Sequence, residues 1–169
     1  NEVKPGEIGE VISKSPLNMK GYWNRPDATE EAIKDGWFYS GDAGFFDEEG
    51  YLYIHDRVKD MIVSGGENIY PAEVENALMS HPEIADAAVI GVPDDKWGES
   101  VKGFVVLQPD SNLDETEIIS YTRTQIAGYK CPKTINFIEA LPRNPSGKIL
   151  RRELREPFWE GKDRMVSGN

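Results

Sequence analysis

The sequence has 169 residues, of which 38% are hydrophobic, and a formal net charge of −11 at pH 7. The hydrophobic content is sufficient for a packed core and excludes intrinsic disorder as the state of the whole chain. The negative charge argues against general binding to nucleic acid or to an anionic membrane. No apolar run approaches the roughly 20 residues that a transmembrane helix needs.

The single cysteine, Cys131, excludes an internal disulfide and indicates a reducing compartment, so we expect a cytoplasmic protein. With only His55 and His81 beside it, the sequence offers no ligand set for a zinc site, and we expect no metal held by this chain alone. Cys131 precedes Pro132 and has no base near it in sequence. We therefore interpret the thiol as a packing residue and not as a nucleophile.

The first third of the sequence is typical of strands and turns. A weakly alternating run at 8–13 predicts a strand, and its position so soon after Asn1 leads us to expect a chain cut from a larger protein. A short helix is predicted over 27–34, ended by Gly36. Two apolar runs around an acidic, glycine-containing turn predict a hairpin over 45–54.

The charged stretch 56–60 separates two apolar runs, and we place a domain boundary there. After it the pattern changes to mixed strands and helices. Asp114 and Glu117 form a capping box at the start of one helix, and a Pro/Gly loop covers 141–148. We predict strands at 61–64, 85–92, 101–107 and 134–138, and helices at 71–81, 114–127 and 149–155.

The charge is unevenly distributed along the chain. Between Arg123 and Arg155 there are eight basic and two acidic residues, so this segment carries 8 − 2 = +6 and the remainder −11 − 6 = −17. A basic segment in an acidic protein suits a small polyanion such as a nucleotide or coenzyme A (CoA). Taken alone, however, the charge favours a solvated surface helix with a chance cluster of basic residues.

Three motifs have both a functional and a plain structural interpretation. Asp42 follows Gly41 at the end of a strand-like run, where its carboxylate could accept hydrogen bonds from a ribose or form an ordinary turn. Gly65 and Gly66 allow the backbone to approach a ligand closely or simply form a hairpin turn. Lys148 ends a Pro/Gly loop, where it is either a point charge for phosphate or an exposed loop lysine.

Taken together and in order, these motifs are informative. The set comprises 21–26, 37–42, 56–60, 64–75, 92–99, 129–133 and 142–151. It resembles the C-terminal signature motifs of the adenylate-forming enzyme family, and specifically of its AMP-forming acyl-CoA synthetases. The resemblance extends over about residues 6–155.

The resemblance implies an α/β (α+β) fold in three parts. Residues 1–58 would be the β-rich C-terminal end of a large N-terminal adenylation domain. Residues 59–160 would be a small mobile lid domain with a three-stranded sheet, flanking helices and a small hairpin near 61–70. Residues 161–169 would be a disordered tail.

The resemblance also implies a two-step ligase reaction. A carboxylic acid, here a fatty acid, attacks the α-phosphate of ATP and gives an acyl-adenylate and pyrophosphate, and the CoA thiol then displaces AMP. ATP, Mg²⁺ and CoA are the implied cofactors, with Mg²⁺ held mainly through ATP and the missing domain. The small domain would rotate between the two steps, so we expect the fragment to be inactive alone.

The nucleotide-binding roles are carried over to matching positions. Asp42 is similar to the acid that holds the ribose hydroxyls, and Arg57 to a second ribose or phosphate contact. Lys59 matches the hinge position whose torsions permit the rotation. Lys148 resembles the adenylation lysine, whose ammonium would bridge the substrate carboxylate and the α-phosphate as negative charge develops.

The CoA-binding roles fall on a second set of residues. Ser64, Gly65 and Gly66 resemble the loop that lines the pantetheine tunnel, and Lys133 would meet the CoA phosphates. Besides these small molecules, the implied partner is the chain's own missing N-terminal domain, and a homodimer is left open. The alternatives are the adenylation domain of a peptide synthetase or a luciferase-like enzyme, and a non-catalytic α/β binding module.

Overall fold

The computed structural model describes residues 2–161, and the chain divides into two compact units, Asn1–Lys59 and Asp60–Asn169. The chain passes from one unit to the other in a short 3₁₀ helix, Val58–Asp60, within the charged stretch predicted to hold a domain boundary. The predicted disordered tail at 161–169 lies outside the described residues, apart from Gly161. Over residues 2–161, no helix is long and apolar enough to cross a membrane.

The first unit is an antiparallel sheet built around one long strand. Its elements are β1 (Gly9–Ser13), α1 (Pro26–Ala32), β2 (Ile33–Lys34), β3 (Trp37–Phe46) and β4 (Leu52–Arg57). β3 pairs antiparallel with β1, β2 and β4. The predicted hairpin is confirmed as β3–β4. The Asp47 carboxylate closes its turn by accepting hydrogen bonds from the N–H groups of Glu49 and Tyr51 at 3.0 and 2.8 Å.

The helix predicted over 27–34 is shorter than expected. It ends at Ala32 because the next two residues, β2, pair with the start of β3. The chain reverses between β2 and β3 through Asp35 and Gly36, which have φ values of 52° and 79°. Aspartate and glycine are among the residues that adopt this left-handed conformation most readily.

Large apolar side chains remain exposed on the first unit. Leu17 and Trp23 are 93% and 91% exposed, and Tyr51 and Ile54 of the β3–β4 hairpin are 66% and 59% exposed. Apolar surface of this extent is typical of a face that another protein surface covers.

The second unit begins with a strand pair and continues with three further strands and three helices. Its elements are β5 (Ile62–Ser64), β6 (Glu67–Ile69), α2 (Pro71–Met79), β7 (Ile84–Asp94), β8 (Gly98–Leu107), α3 (Glu115–Gln125), β9 (Thr134–Phe137) and α4 (Arg151–Trp159). The mixed α/β class is confirmed, as is the Asp114–Glu117 capping box at the start of α3.

The sheet of the second unit has five strands where the sequence predicted three. β8 pairs with both β7 and β9, antiparallel to β7 and parallel to β9. The predicted hairpin, β5–β6, joins the same sheet through a bridge between Ser64 and Gly98, which gives the order β6-β5-β8-β7 with β9 also on β8. Because this bridge connects residues far apart in sequence, no local pattern signals it.

The two faces of the sheet carry different helices. Alternate residues of β7 and β8 point to opposite sides, as the pleat requires. One side packs against α2 and α3 through a cluster that includes Val74, Leu78, Val89, Val105 and Ile118. The other side packs against α4 and the preceding loop through Ala88, Ile90, Phe104, Leu141 and Leu154.

The last helix differs from its predicted span of 149–155. It runs from Arg151 to Trp159 and includes Pro157, a residue that usually breaks a helix interior. Leu154 and Phe158 lie four residues apart, so both face the α4-side cluster. We attribute the continuation of the helix past Pro157 to the burial of this face.

Candidate functional site

Asp42 and Arg57, the two predicted nucleotide contacts of the first unit, contact each other directly. They are register partners on β3 and β4, and the Arg57 Nη1 donates a hydrogen bond to Asp42 Oδ1 at 2.6 Å. Their side chains are 29% and 38% exposed, so the pair is open to a ligand. The Arg57 Nε is buried and has no hydrogen-bond partner among the described residues.

The backbone around Asp42 is fixed by neighbouring polar groups. The Asp42 N–H donates to Ser40 Oγ at 3.1 Å, and Ser40 Oγ in turn donates to the Val11 carbonyl at 2.7 Å. Gly41 has a φ of 72°, and its N–H donates to Glu10 Oε1 at 3.1 Å. The carboxylate therefore projects from a rigid part of β3.

Lys59, the predicted hinge, is an exposed residue of the 3₁₀ helix Val58–Asp60. It is the last residue of the first compact unit, and Asp60 is the first residue of the second. Asp60 is buried, and its carboxylate accepts a hydrogen bond from Arg155 of α4 at 3.3 Å. The residue that follows Lys59 is thus anchored to the second unit.

Gly65 and Gly66 form the turn between β5 and β6, with φ values of 62° and 87°. The predicted hairpin turn is therefore present. The Gly65 N–H donates to the Trp97 carbonyl at 2.9 Å. A Cβ at Gly65 would lie 2.7 Å from the Trp97 ring, so the backbone approaches this side chain closely, whereas its approach to a ligand stays a prediction.

A cleft of about 560 Å³ lies beside this turn. It brings together Ser64, Gly65 and Lys133, three of the four residues predicted to bind CoA, and Gly66 follows in the same turn. Its walls include side chains for which the sequence suggested no role: Trp97, Arg123 and Tyr129. A larger depression of about 690 Å³ runs along α4, and its lining residues include none of the predicted site residues.

Lys133 is held at the edge of the cleft by two contacts. Its Nζ donates to Asp94 Oδ2 at 2.7 Å and lies 5.7 Å from the centre of the Trp97 ring. The pKa of Asp94 is lowered to about 2, mainly by the hydrogen bond from the Lys133 ammonium and next by the one from the Trp97 N–H. At neutral pH Asp94 is therefore ionised, and an anionic ligand would have to compete with it for Lys133.

Lys148 is exposed at the end of a tightly closed loop on the α4 side of the sheet. The Asn144 Oδ1 accepts hydrogen bonds from Ser146 and from the Lys148 N–H, the latter at 2.8 Å. The Asn144 N–H donates to the Lys148 carbonyl at 2.9 Å. Gly147, with a φ of 85°, permits the tight turn between them.

Most of the basic segment between Arg123 and Arg155 is neutralised by the fold. Its ion pairs are Lys130 with Glu73, Lys133 with Asp94, Arg143 with Asp86, Arg151 with Glu75 and Arg155 with Asp60, at 2.6–3.3 Å. The local charge of +6 is therefore not a free surface for polyanions. The other three bases, Arg123, Lys148 and Arg152, are exposed.

Cys131 is buried, and its Sγ lies 3.6 Å from the Ala127 carbonyl, as a packing residue should. Burial raises the pKa of its thiol, which disfavours the thiolate. Over residues 2–161, no group of three His, Cys, Asp or Glu side chains is placed to hold a metal ion.

The sequence motifs contained Trp97, Tyr129 and Arg143 but did not reveal what these residues do. Trp97 reaches the Gly65 turn only because β8 pairs with β5, and Arg143 reaches Asp86 only because the loop folds back on β7. Trp97 immediately precedes Gly98, the first residue of β8, and this glycine was the local signal of a special position.

Residues 73–148 match a family model described as the AMP-binding enzyme C-terminal domain. This span reaches from α2 to Lys148, the residue that the resemblance placed at the reacting phosphate. The chain carries an AMP-binding enzyme C-terminal domain. The resemblance stated from the motifs is thereby confirmed.

Relatives extend the match across both units. The chain is 49% identical over 98% of its length to the fatty acid–[acyl-carrier-protein] ligase ScoC of Streptomyces coeruleorubidus, and 53% identical over 92% to a feruloyl-CoA synthase of an Amycolatopsis species. It covers 32% of each of these proteins. The chain thus spans about a third of the length of the curated relatives it matches.

A solved structure gives the same result for the fold. The chain superposes on o-succinylbenzoate-CoA synthetase (MenE) of Bacillus subtilis, solved with the acyl-adenylate intermediate OSB-AMP. The TM-score is 0.83 and the identity 45%, over 90% of this chain and 31% of that one. The match therefore includes residues of both the AMP-binding enzyme C-terminal domain and the β-rich segment before it.

Proposed function

We propose that this chain is the C-terminal part of an AMP-forming acyl-CoA synthetase, an acid–thiol ligase. The whole enzyme activates a carboxylic acid with ATP to an acyl-adenylate and then transfers the acyl group to CoA. The observation that carries the proposal is the exposed Lys148 on a rigid loop, within a chain whose relatives include acid ligases matched over nearly its whole length.

Lys148 serves as the adenylation lysine in this proposal. Its ammonium stabilises the negative charge that develops as the acid carboxylate attacks the α-phosphate. The new bond joins a carboxylate oxygen to the α-phosphorus, and pyrophosphate leaves. Mg²⁺ enters with ATP, bound mainly through the phosphates and the N-terminal domain, and neutralises phosphate charge.

Asp42 and Arg57 hold the ribose and a phosphate or ribose oxygen of the nucleotide. The support is their direct contact, their partial exposure and the buried Arg57 Nε without a partner among the described residues. A ligand oxygen or a group of the N-terminal domain would satisfy that donor. The exposed apolar residues of the first unit, such as Trp23 and Tyr51, are covered by the same domain in this proposal.

The CoA site is assigned to the cleft at the β5–β6 turn. Ser64, Gly65 and Gly66 line the path of the pantetheine arm, and Lys133 meets a CoA phosphate. Because Lys148 lies on the α4 side of the sheet and α3 contributes Arg123 to the cleft, the two sites belong to different faces of the lid domain. Residues 59–160 form that domain, and Lys59 is the hinge that presents each face in turn.

The acid is proposed to be a fatty acid, and the compartment the cytoplasm, where ATP and CoA are available and a free cysteine is stable. Because the relative ScoC is a fatty acid–[acyl-carrier-protein] ligase, the thiol of an acyl carrier protein is the alternative acceptor to CoA. A self-associated dimer stays a prediction, which sedimentation of the protein tests.

The test uses the complete gene product from which this chain comes. We expect carboxylate-dependent ATP–pyrophosphate exchange, thioester formation with CoA, and no turnover by the 169-residue chain alone. Lys148→Ala should slow adenylation by about 10²–10³-fold, while thioester formation from supplied acyl-adenylate survives better. Equal loss of both steps would overturn the role of Lys148. Absence of exchange in the wild type would overturn the proposed function, and transfer to an acyl carrier protein in place of CoA would change the acceptor.

A further inference from the structure

The loop that ends in Lys148 is fastened to one strand by two arginines. Arg143 stands five residues before Lys148 and Arg151 three residues after it. Arg143 pairs with Asp86 on β7, and Arg151 pairs with Glu75, whose carboxylate also binds the β7 backbone. Both ends of the loop are thus attached to the same part of the sheet.

The guanidinium of Arg143 joins the inside of the loop to the strand. Its Nη1 donates to the Gly147 carbonyl at 2.6 Å, and its Nη2 donates to Asp86 Oδ2 at 2.6 Å. Gly147 immediately precedes Lys148, so one planar group sets the position of the peptide that carries the lysine. The rigid fork of an arginine is suited to this task, whereas a lysine would supply only a point charge.

Glu75 and Arg151 reach the edge of β7 that faces away from β8, each from a helix on a different face of the sheet. Within residues 2–161, β7 pairs with β8 along one side only. The buried Val89 N–H, which points away from β8, donates to Glu75 Oε1 at 2.8 Å. Arg151 Nη2 donates to both oxygens of the same carboxylate at 2.8 and 2.7 Å. Glu75 belongs to α2 and Arg151 to α4, so this contact links two helices and the strand.

A stability role alone does not explain this arrangement. The pair formed by Arg151 and Glu75 is only 16% and 14% exposed, and a buried ion pair of this kind often contributes no more stability than apolar residues of the same size. Such a pair does, however, fix the distance and orientation between the two segments that carry its side chains. Here one of these is the short segment that carries Lys148.

We infer that Arg143 and Arg151 are positioning residues for adenylation, which act by holding Lys148 at the place where the α-phosphate is attacked. This inference rests on the proposed function. A displacement of about 1 Å at a reacting group can lower a rate by about 100-fold. Loss of either arginine should therefore slow the step that uses Lys148 and leave the other step nearly intact.

The test uses the complete enzyme with Arg143→Met, Arg151→Met and Arg151→Lys. For both Met variants we expect kcat for ATP–pyrophosphate exchange to fall by about 10- to 100-fold. The KM for ATP and the rate of thioester formation from supplied acyl-adenylate should change less than about threefold. Arg151→Lys should recover part of the rate. Arg143 is 40% exposed, so Arg143→Met should fold even if Arg151→Met does not.

Lys130→Met is the matched control. Lys130 forms an equally short ion pair, at 2.7 Å, with Glu73, which belongs to α2 like Glu75, but this pair includes no residue of the Lys148 loop. It should lose comparable stability and keep its adenylation rate. Combining Arg143→Met with Lys148→Ala should add no further loss of adenylation, because the arginine acts through the lysine.

Two outcomes would overturn the inference while leaving the proposed function intact. One is an Arg143→Met enzyme in which both half-reactions fall equally. The other is an additive loss in the double variant with Lys148→Ala. If the wild-type enzyme itself shows no carboxylate-dependent exchange, the proposed function fails first, and the two failures are thereby distinguished.

Discussion

The Asp42 carboxylate lies 2.6 Å from the Arg57 guanidinium because the two residues are cross-strand partners on β3 and β4. The hairpin between them is local, so the contact forms with the fold of the first unit and does not await a ligand. A nucleotide that binds here would meet an acceptor and a donor already oriented by each other.

Asp42→Asn in the complete enzyme should raise the KM for ATP by about 10- to 100-fold, because a hydrogen bond to a charged group contributes about 1.5–3 kcal/mol. The pair is partly exposed, so the free energy of unfolding should change by less than about 1 kcal/mol. Steady-state kinetics and urea unfolding measure the two effects. Glu49→Gln, on the turn at the other end of the same hairpin, should change neither. An unaltered KM with a large loss of stability would assign the pair to the fold alone.

Lys59→Pro should affect the two half-reactions unequally. Proline fixes φ near −65° and removes the N–H, which restricts the rotation that a hinge residue must allow. We expect one half-reaction to stay within about tenfold of the wild type and the other to fall by at least about 100-fold. Single-turnover assays of adenylation and of thioester formation separate them. Lys59→Ala keeps the torsional freedom and should leave both steps nearly unchanged; a similar split in that variant would argue against a hinge.

Gly65→Ala and Gly66→Ala form a natural comparison. Both positions have positive φ, and a non-glycine residue in that region costs about 1–2 kcal/mol. Only at Gly65 would the new methyl group also meet the Trp97 ring, at 2.7 Å, whereas the space at Gly66 is open. Urea unfolding should show the larger loss for Gly65→Ala, and thioester formation should fall by more than about tenfold in that variant alone. Equal effects would mean that backbone strain explains both.

Lys102 offers a test of stability against pH. It is buried on β8, where its Nζ donates to Thr134 Oγ1 at 3.0 Å and faces the Phe158 ring at 5.2 Å. Burial lowers the pKa of Lys102 below its ordinary value of 10.5, an effect that Glu115 partly opposes. Since the folded pKa lies below the unfolded one, the unfolded chain binds more protons between the two values, and stability rises with pH across that window.

Lys102→Met should therefore be at least as stable as the wild type at pH 7, and the difference should shrink as the pH approaches 10.5. Urea unfolding of the chain at pH 7 and at pH 10 measures this. Thr134→Val, which removes the hydrogen-bond acceptor and keeps the lysine, should not remove the pH dependence. A Lys102→Met variant that is less stable at pH 7, with a gap that widens at pH 10, would contradict the assignment.

Local sequence was sufficient where a short segment contains its own partners. The capping box needs only Asp114 and Glu117, and the β3–β4 turn needs only Asp47 and the residues that follow it. The Lys148 loop is closed by Asn144 four residues earlier. The motif order, read along the chain, was also enough to indicate the family that the match at 73–148 confirmed.

Tertiary structure alone decided which distant groups meet. The Ser64–Gly98 bridge turned a separate hairpin into part of a five-stranded sheet and brought Trp97 to the Gly65 turn. Ion pairs with acids between 60 and 94 cancelled most of the charge of a segment that looks strongly basic in the sequence.

The physical reason is the range of the interactions. Caps and turns depend on hydrogen bonds between residues a few positions apart, so their residue types and spacing are visible in the sequence. An ion pair between Arg143 and Asp86, or between Arg151 and Glu75, forms only after β7 and the helices have packed. The sequence by itself therefore determined that Lys148 stands on a tight loop, and only the folded sheet determined what holds that loop in place.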